Sequence, residues 1–309
     1  MKQKSAFIAL LGRANVGKSS LINRLIGQKV SIVSDKPQTT RTRIMGVLTH
    51  GDEQFVFIDT PGFHKPKNLL DSKMNGAISG GMADVDAAVL IVDAAPSFKL
   101  DKDNLPAAET ELLENIKSRN LPCVLVINKI DLLPQKDELF EIITAYSAKY
   151  DFKAVVPLSA KTGEGTKILL DELTSFQKPA PHYFSGEDFT DQPEKVMVAE
   201  MIREKLLLLL QKEVPHGIAV DIERFFETDN KSGEPIINIE AAIFCERESH
   251  KGIIIGKGGA LLKRVGTLAR HDIEKFFSTK VSLKLWVKVK ENWRNREGII
   301  RSLGLDSFT

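Results

Sequence analysis

The chain has 309 residues, of which 42% are hydrophobic and 27% charged, with a net charge of +2. That composition is ordinary for a soluble protein, and the length allows two domains with separate cores. Cys123 and Cys245 lie far apart in apolar runs, which argues against a disulfide framework and for reduced thiols of a cytoplasmic protein. The apolar runs, Leu206–Leu210 among them, are all far short of the roughly 20 residues of a membrane span, and no signal peptide is visible. Charge is unevenly placed: residues 251–301 hold thirteen Lys or Arg against four Asp or Glu. A local balance of +9 on an otherwise mildly acidic chain points to a polyanionic partner at that end.

In chain order, the apolar run at residues 6–11 predicts a buried strand, and residues 20–26 carry apolar side chains at helical spacing. Between them, Gly12-Arg13-Ala14-Asn15-Val16-Gly17-Lys18-Ser19 fits G-x-x-x-x-G-K-[ST], in the strand–loop–helix context that the motif requires. Glycines let successive N–H groups turn inward as an anion nest, and the helix that starts there adds its positive end. Lys18 can reach the β- and γ-phosphates, the Ser19 hydroxyl can ligate a magnesium ion, and Ser20 is a further candidate contact to the nucleotide. A polar loop follows in which Thr39 and Thr40 are the candidates to cover the phosphates; a plain edge-strand Thr pair is the alternative. The run Phe55–Ile58 is a buried strand ending in Asp59-Thr60-Pro61-Gly62. There Asp59 can hold magnesium through water, and the Gly62 amide can sense a γ-phosphate.

Further strands are expected at 87–92, 124–127 and 155–158, alternating with helices around 72–83, 106–119, 137–149 and 166–176. Alternation of this kind predicts a mostly parallel, doubly wound α/β sheet with its ligand at the strands' carboxyl ends. Asn128-Lys129-Ile130-Asp131 follows one such strand. Asn128 can pair with a base edge, and the Asp131 carboxylate accepts the N1 and N2 protons of guanine, which adenine lacks, so the pattern selects GTP over ATP. Taken singly, such a tetrapeptide is often a capping turn. Ser159-Ala160-Lys161 closes the last strand, where the Ala160 amide could meet the guanine oxygen.

Together these boxes resemble the translation-factor-related P-loop GTPases. The resemblance favours Thr40 as the magnesium ligand beside Ser19 and Asp59. It also implies a potassium ion held by Asn15 in place of an arginine finger; a loop Asn in an unusual backbone conformation is the other reading. Phe63 stands where Ras-like enzymes have a water-orienting Gln, so no catalytic residue is assigned, and intrinsic hydrolysis is expected to be slow or assisted.

Residues 177–193, beginning Gln177-Lys178-Pro179-Ala180-Pro181, read as a linker after a GTPase domain spanning residues 1–176. The remainder, 194–309, predicts a helix at 194–212, a hairpin-like strand pair at 217–226 and 235–245, helices around the glycines at 256–259, a strand at 281–289 and a terminal helix. Gly256-Lys257-Gly258-Gly259 supplies a G-x-x-G loop within the basic segment. The order resembles a type II KH domain, a smaller α+β fold whose loop clamps about four single-stranded nucleotides. Lys257, Lys263, Arg264 and Arg270 are the expected phosphate contacts, with Lys284, Lys288 and Lys290 adding charge. Trp286 and Trp293 read as packing residues.

A GTPase domain, short linker and KH domain together resemble the Era family of bacterial ribosome-associated GTPases. Gln38-Thr39-Thr40-Arg41, Asp59-Thr60-Pro61-Gly62 with His64 and Pro66, and Ile254-Ile255-Gly256-Lys257-Gly258-Gly259 carry the likeness. Ala14, where that family usually has Pro, departs from it. The resemblance implies a GTP- and magnesium-dependent switch that binds single-stranded rRNA near the 3′ end of the small subunit and assists 30S assembly, with no DNA partner. A regulator whose basic domain meets a protein or an anionic membrane surface peripherally is the competing expectation.

Overall fold

Strand β1 (Lys4–Leu11) runs up the first sheet with parallel neighbours on both sides, β3 (Glu53–Asp59) and β4 (Ala87–Asp93). The computed structural model describes residues 3–62, 68–82, 84–94, 105–135, 137–212, 214–230 and 232–305. Beyond β4 lie β5 (Cys123–Asn128) and β6 (Ala154–Pro157), both parallel. On the far side β2 (Ile44–His50) pairs antiparallel with β3, giving the order β2-β3-β1-β4-β5-β6. Helices α1 (Lys18–Ile26) and α5 (Thr166–Thr174) cover one face, with Leu21, Ile22, Leu169 and Leu173 in its core. Three helices cover the other: α2 (Leu69–Gly81), α3 (Ala107–Ser118) and α4 (Asp137–Ser147). Burial on both faces explains why β4 and β5 read as unbroken apolar runs. Strand order reverses at β1, so the loop after β1 lies at the switch point where such sheets bind ligands.

The segment expected as a linker takes a fixed path. Its strand β7 (Lys178–Pro179) pairs antiparallel with the start of β1. The Gln54 side chain then accepts the Tyr183 and Phe184 amides at 2.8 and 3.1 Å, and the Val47 amide donates to the Phe189 carbonyl at 3.0 Å. Backbone groups of this segment thus find partners on the sheet instead of in solvent.

The second domain is built on α6 (Glu194–Leu209) and a sheet of order β10-β9-β8, from β8 (Ala219–Asp229), β9 (Pro235–Cys245) and β10 (Lys280–Val289). Strands β8 and β9 form the expected antiparallel pair. Strands β9 and β10 run parallel, joined by the crossover α7 (Glu248–Ile255) and α8 (Ala260–Phe277). One sheet face packs on α6 and α8. The opposite face holds Ala219, Ala242 and Phe244 against Trp293, Ile300 of α9 (Glu297–Ser302), and Leu70 and Met74 of α2. The two domains thus share an apolar seam through α2. Trp293 is fully buried there, with Nε1 donating to the Gly217 carbonyl at 2.9 Å, which makes it a packing residue. Both cysteines are buried free thiols.

Candidate nucleotide site and nucleic-acid groove

Gly17 ends the loop after β1 with φ 99°, and a side chain there would run into the Asn128 amide, so the turn into α1 needs glycine. Lys18 folds over the loop, its Nζ donating to the Gly12 and Arg13 carbonyls at 2.9 Å each. Burial lowers its pKa from 10.5 to about 8, against the opposing pull of Asp59. Ala14, Asn15, Gly17, Lys18, Ser19, Ser20, Thr39, Thr40, Gly62 and Lys129 line a cleft of about 310 Å³. The Arg13 side chain, expected among the nucleotide contacts, points away from the cleft and pairs with the buried Glu109 of α3. Val16 is buried, its carbonyl facing Asn128.

Three oxygen donors converge where α1, the Thr39–Thr40 loop and β3 meet. Ser19 Oγ lies 2.9 Å from Thr40 Oγ1 and 2.9 Å from Asp59 Oδ2. Asp59 Oδ2 accepts a second hydroxyl, that of buried Ser31, at 3.0 Å, whereas Oδ1 is buried without a partner. Burial pushes the Asp59 carboxyl up, opposed by Lys18 and the surrounding hydroxyls. An unpartnered carboxylate oxygen beside two hydroxyls fits a hard divalent cation such as Mg²⁺. Thr39 is not part of this set. Its hydroxyl donates to the Lys36 carbonyl at 2.5 Å and faces Ser34 Oγ at 2.8 Å. Ser31 gave no sequence signal; its backbone is delivered by Asn23 of α1, whose Oδ1 accepts the Val30 and Ser31 amides at 2.9 Å each.

Asn15 has φ 66°, and its Nδ2 donates to the Asp35 carbonyl at 2.7 Å, tying the phosphate loop to the segment before Thr39. Thr60 Oγ1 donates to the Leu10 carbonyl at 3.0 Å, and Pro61 is buried, so both anchor the turn rather than face the cleft. Gly62 abuts Ala14: a Cβ on Gly62 would lie 2.7 Å from Ala14 Cα. Phe63, His64 and Pro66 lie outside the described residues.

At the base end, the buried Asn128 is a staple. Nδ2 donates to the Val16 carbonyl at 2.8 Å and Oδ1 accepts the Ala160 amide at 2.9 Å. The Ala160 amide, expected to face guanine, is therefore engaged by Asn128. Asp131 is exposed and oriented by Ser159, whose Oγ donates to Oδ1 at 2.7 Å, leaving Oδ2 for a ligand. Lys129 reaches back to the Asn15 carbonyl at 2.8 Å and pairs with Asp93. The Lys161 carbonyl accepts from Arg24, so its backbone fixes the loop.

In the second domain α7 ends at Gly256, with φ 72°, and a Cβ there would lie 2.8 Å from that of Leu261. Lys257 and Gly258 are exposed at the loop tip, and Gly259 opens α8. From there a groove of about 500 Å³ runs between α8 and β10, lined by Gly259, Lys263, Gly266, Thr267, Arg270 and Ser282 among others. Arg264 is exposed but does not line it. Lys284 and Lys288 belong to the opposite sheet face, where they pair with Glu240 and Glu223, and Lys290 stands over the Phe244 ring. Strand alternation separates these lysines from the groove.

Fold and site together define a P-loop GTPase joined to a KH domain. The family model described as 50S ribosome-binding GTPase matches residues 7–129, and a KH domain model matches 213–294. GTPase Era of Clostridioides difficile (strain 630) is 46% identical over 301 residues, covering 97% of this chain and 98% of that one. GTPase Era of Ruminiclostridium cellulolyticum is 45% identical over 305 residues, covering 98% of each. A crystal structure of Era in complex with MgGDPNP and nucleotides 1506–1542 of 16S ribosomal RNA superposes with TM-score 0.91 at 34% identity, covering 98% of this chain and 99% of that one. Aquifex aeolicus Era bound to GDP·AlF4− gives TM-score 0.90 at 33% identity, over 98% and 99% of the two chains. The chain belongs to the Era family of GTPases.

Proposed function

We propose that GTP, held with Mg²⁺ on the phosphate loop, controls whether the KH groove takes up single-stranded RNA near the 3′ end of the small-subunit rRNA, and that the chain assists 30S assembly in the cytoplasm by this means. The observation that carries the reading is the groove between α8 and β10, basic through Lys263 and Arg270 and capped by the Gly256–Gly259 loop. Such a loop admits a nucleic-acid backbone close to the helix end. The related Era structure holding both MgGDPNP and a 16S rRNA segment supports it.

In this reading Ser19 and Thr40 hold the magnesium ion directly and Asp59 does so through water, which neutralises charge on the β- and γ-phosphates. Lys18 turns from the loop carbonyls to those phosphates, and Asp131, set by Ser159, selects guanine. Asn15, beside the Asp35 carbonyl, is placed to serve a potassium ion. The nucleotide signal reaches the groove by two covalent neighbours of the site, the Thr39–Arg41 segment and α2, both of which pack on the KH domain.

Binding of an oligonucleotide with the small-subunit rRNA 3′ sequence is the test, measured on protein loaded with a non-hydrolysable GTP analogue and with GDP. Tighter binding in the analogue state is expected, and equal affinity in both would sink the coupling. Gly258→Asp should abolish RNA binding and leave GTP hydrolysis intact. A Cβ at Gly258 meets nothing within 4 Å, and φ 58° is tolerated by Asp, so the fold survives the change. Undiminished RNA binding by that variant would remove the loop from the RNA contact, and no RNA binding by the unaltered chain would favour a protein or membrane partner for the basic domain instead.

A further inference from the structure

Val33, Ser34, Asp35, Gln38 and Thr39 line the nucleotide cleft and lead into Thr40. Their turn is bonded to itself: Ser34 Oγ accepts the Lys36 amide at 3.1 Å and lies 2.8 Å from Thr39 Oγ1, which donates to the Lys36 carbonyl at 2.5 Å. Asn15 Nδ2 holds the Asp35 carbonyl to the phosphate loop at 2.7 Å. Both feet of the turn are held by the second domain. Glu204 Oε1 accepts the Val33 amide at 3.0 Å, and Arg203 Nη2 donates to the Thr39 carbonyl. These are successive residues of α6, and both are buried.

Glu204 has a second set of partners. Its Oε2 receives Lys29 Nζ at 2.6 Å and Lys205 Nζ at 2.8 Å, and both lysines also reach Oδ2 of Asp272 on α8, at 3.0 and 2.5 Å. Lys29 lies just past α1 in the GTPase domain, so two acids and two bases alternate in a closed ring across the domain boundary. All four side chains are buried or half-buried, where salt screens them less than an exposed pair. Burial opposes the charged form of Glu204, yet the hydrogen bonds from Lys205 and Lys29 hold its carboxyl below the usual range. On α8, Lys263 and Arg270 line the RNA groove, the latter two residues before Asp272.

We propose that Glu204 is a positioning residue for GTP hydrolysis supplied by the second domain: it fixes Val33 so that Thr40 stays over the Mg²⁺ position, and its ring with Lys29, Lys205 and Asp272 ties that loop to the helix bordering the RNA groove. The inference rests on the roles given above to Thr40 and to the groove, and it adds a route between them through α6 and α8. Coupling of binding sites is reciprocal, so RNA in the groove tightens a GTP analogue by the same factor as the analogue tightens RNA.

The test uses the full chain, titrated at saturating Mg²⁺ with a fluorescent non-hydrolysable GTP analogue and with fluorescent GDP. Glu204→Ala should weaken the analogue about tenfold, the size of one lost charge-assisted bond, and GDP by no more than about twofold, because the Thr40 contact serves the triphosphate. A merely structural role would weaken both alike. Glu204→Gln keeps an acceptor for the Val33 amide and should recover part of the loss. Asp272→Asn leaves the Val33 bond in place, so it should lower the factor by which the small-subunit rRNA 3′ oligonucleotide tightens the analogue; an unchanged factor would overturn the tie to α8. If the oligonucleotide tightens neither nucleotide state of the unaltered chain, the nucleotide–RNA switch falls, while an analogue-selective loss in Glu204→Ala still upholds the positioning role. Equal losses for the analogue and GDP, or no loss for either, overturn that role.

Discussion

Replacing Asn128 by Ala removes a side chain that makes no surface contact and yet joins two loops of the nucleotide site. The amide bridges the Val16 carbonyl at 2.8 Å and the Ala160 amide at 2.9 Å, and all three residues are buried. Alanine leaves both backbone groups without partners. Each buried polar group so orphaned costs about 1–3 kcal/mol, so the pair amounts to roughly 2–6 kcal/mol, a large share of the 5–15 kcal/mol typical of a domain. For a GTPase domain of this size a loss of about 3 kcal/mol lowers Tm by roughly 6–12 °C. The phosphate loop and the Ser159–Lys161 loop would also lose their common anchor, so GDP should dissociate faster. Urea unfolding at a fixed saturating GDP concentration and the release rate of fluorescent GDP measure the two effects. A stability change under about 0.5 kcal/mol with an unaltered release rate would refute the staple. Asn128→Asp sharpens the test: it keeps the acceptor for Ala160 but sets a carboxylate oxygen against the Val16 carbonyl. It should be at least as damaging as Ala, and a milder effect would show that the bond to Val16 is unimportant.

Asp131→Asn should shift preference from GTP toward xanthosine triphosphate, because the exchanged group then donates where guanine also donates; unchanged GTP use in a competition assay would contradict the base assignment. Thr40→Ala should raise the Mg²⁺ concentration needed to hold the GTP analogue, with GDP affected less. Thr39→Ala should leave that requirement alone, since its hydroxyl is spent on Lys36 and Ser34, and equal defects in the two variants would remove the distinction. Lys18 makes the site pH-dependent. Its folded-state pKa of about 8 lies below the usual 10.5, so the unfolded chain binds the proton more tightly, and nucleotide-free protein gains stability as pH rises from about 8 to 10.5. Phosphates favour the charged form, so GDP affinity should fall over the same window by at most about tenfold per pH unit; constant affinity between pH 7.5 and 9.5 would exclude this role.

Much of the fold was legible because its elements carry local signals. The strands buried on both faces announce themselves as apolar runs, and every box of the nucleotide site except the Thr39–Thr40 loop follows such a run at a strand's carboxyl end. The KH order was legible from the hairpin pair and the glycines between its helices. β2 escaped notice because Ile44–His50 is an edge strand interrupted by Gly46, without an unbroken apolar run or clean alternation.

What sequence alone supplied was the candidate groups for nucleotide and RNA, since a glycine nest, a lysine and a guanine-matched carboxylate must occur in fixed order and spacing. Tertiary structure alone decided which side chains were already spoken for. Arg13 is drawn to Glu109, and Lys284 and Lys288 to acids on the far face of the sheet, since these ion pairs form between residues distant in the chain, while the fold of its own loop turns the Thr39 hydroxyl to Lys36 and Ser34. Arg41 and Arg203 acquire their meaning only at the seam, where both guanidiniums are buried and tie the Thr39–Arg41 segment to the second domain, Arg41 through the His216 and Ile218 carbonyls and Arg203 through the Thr39 carbonyl.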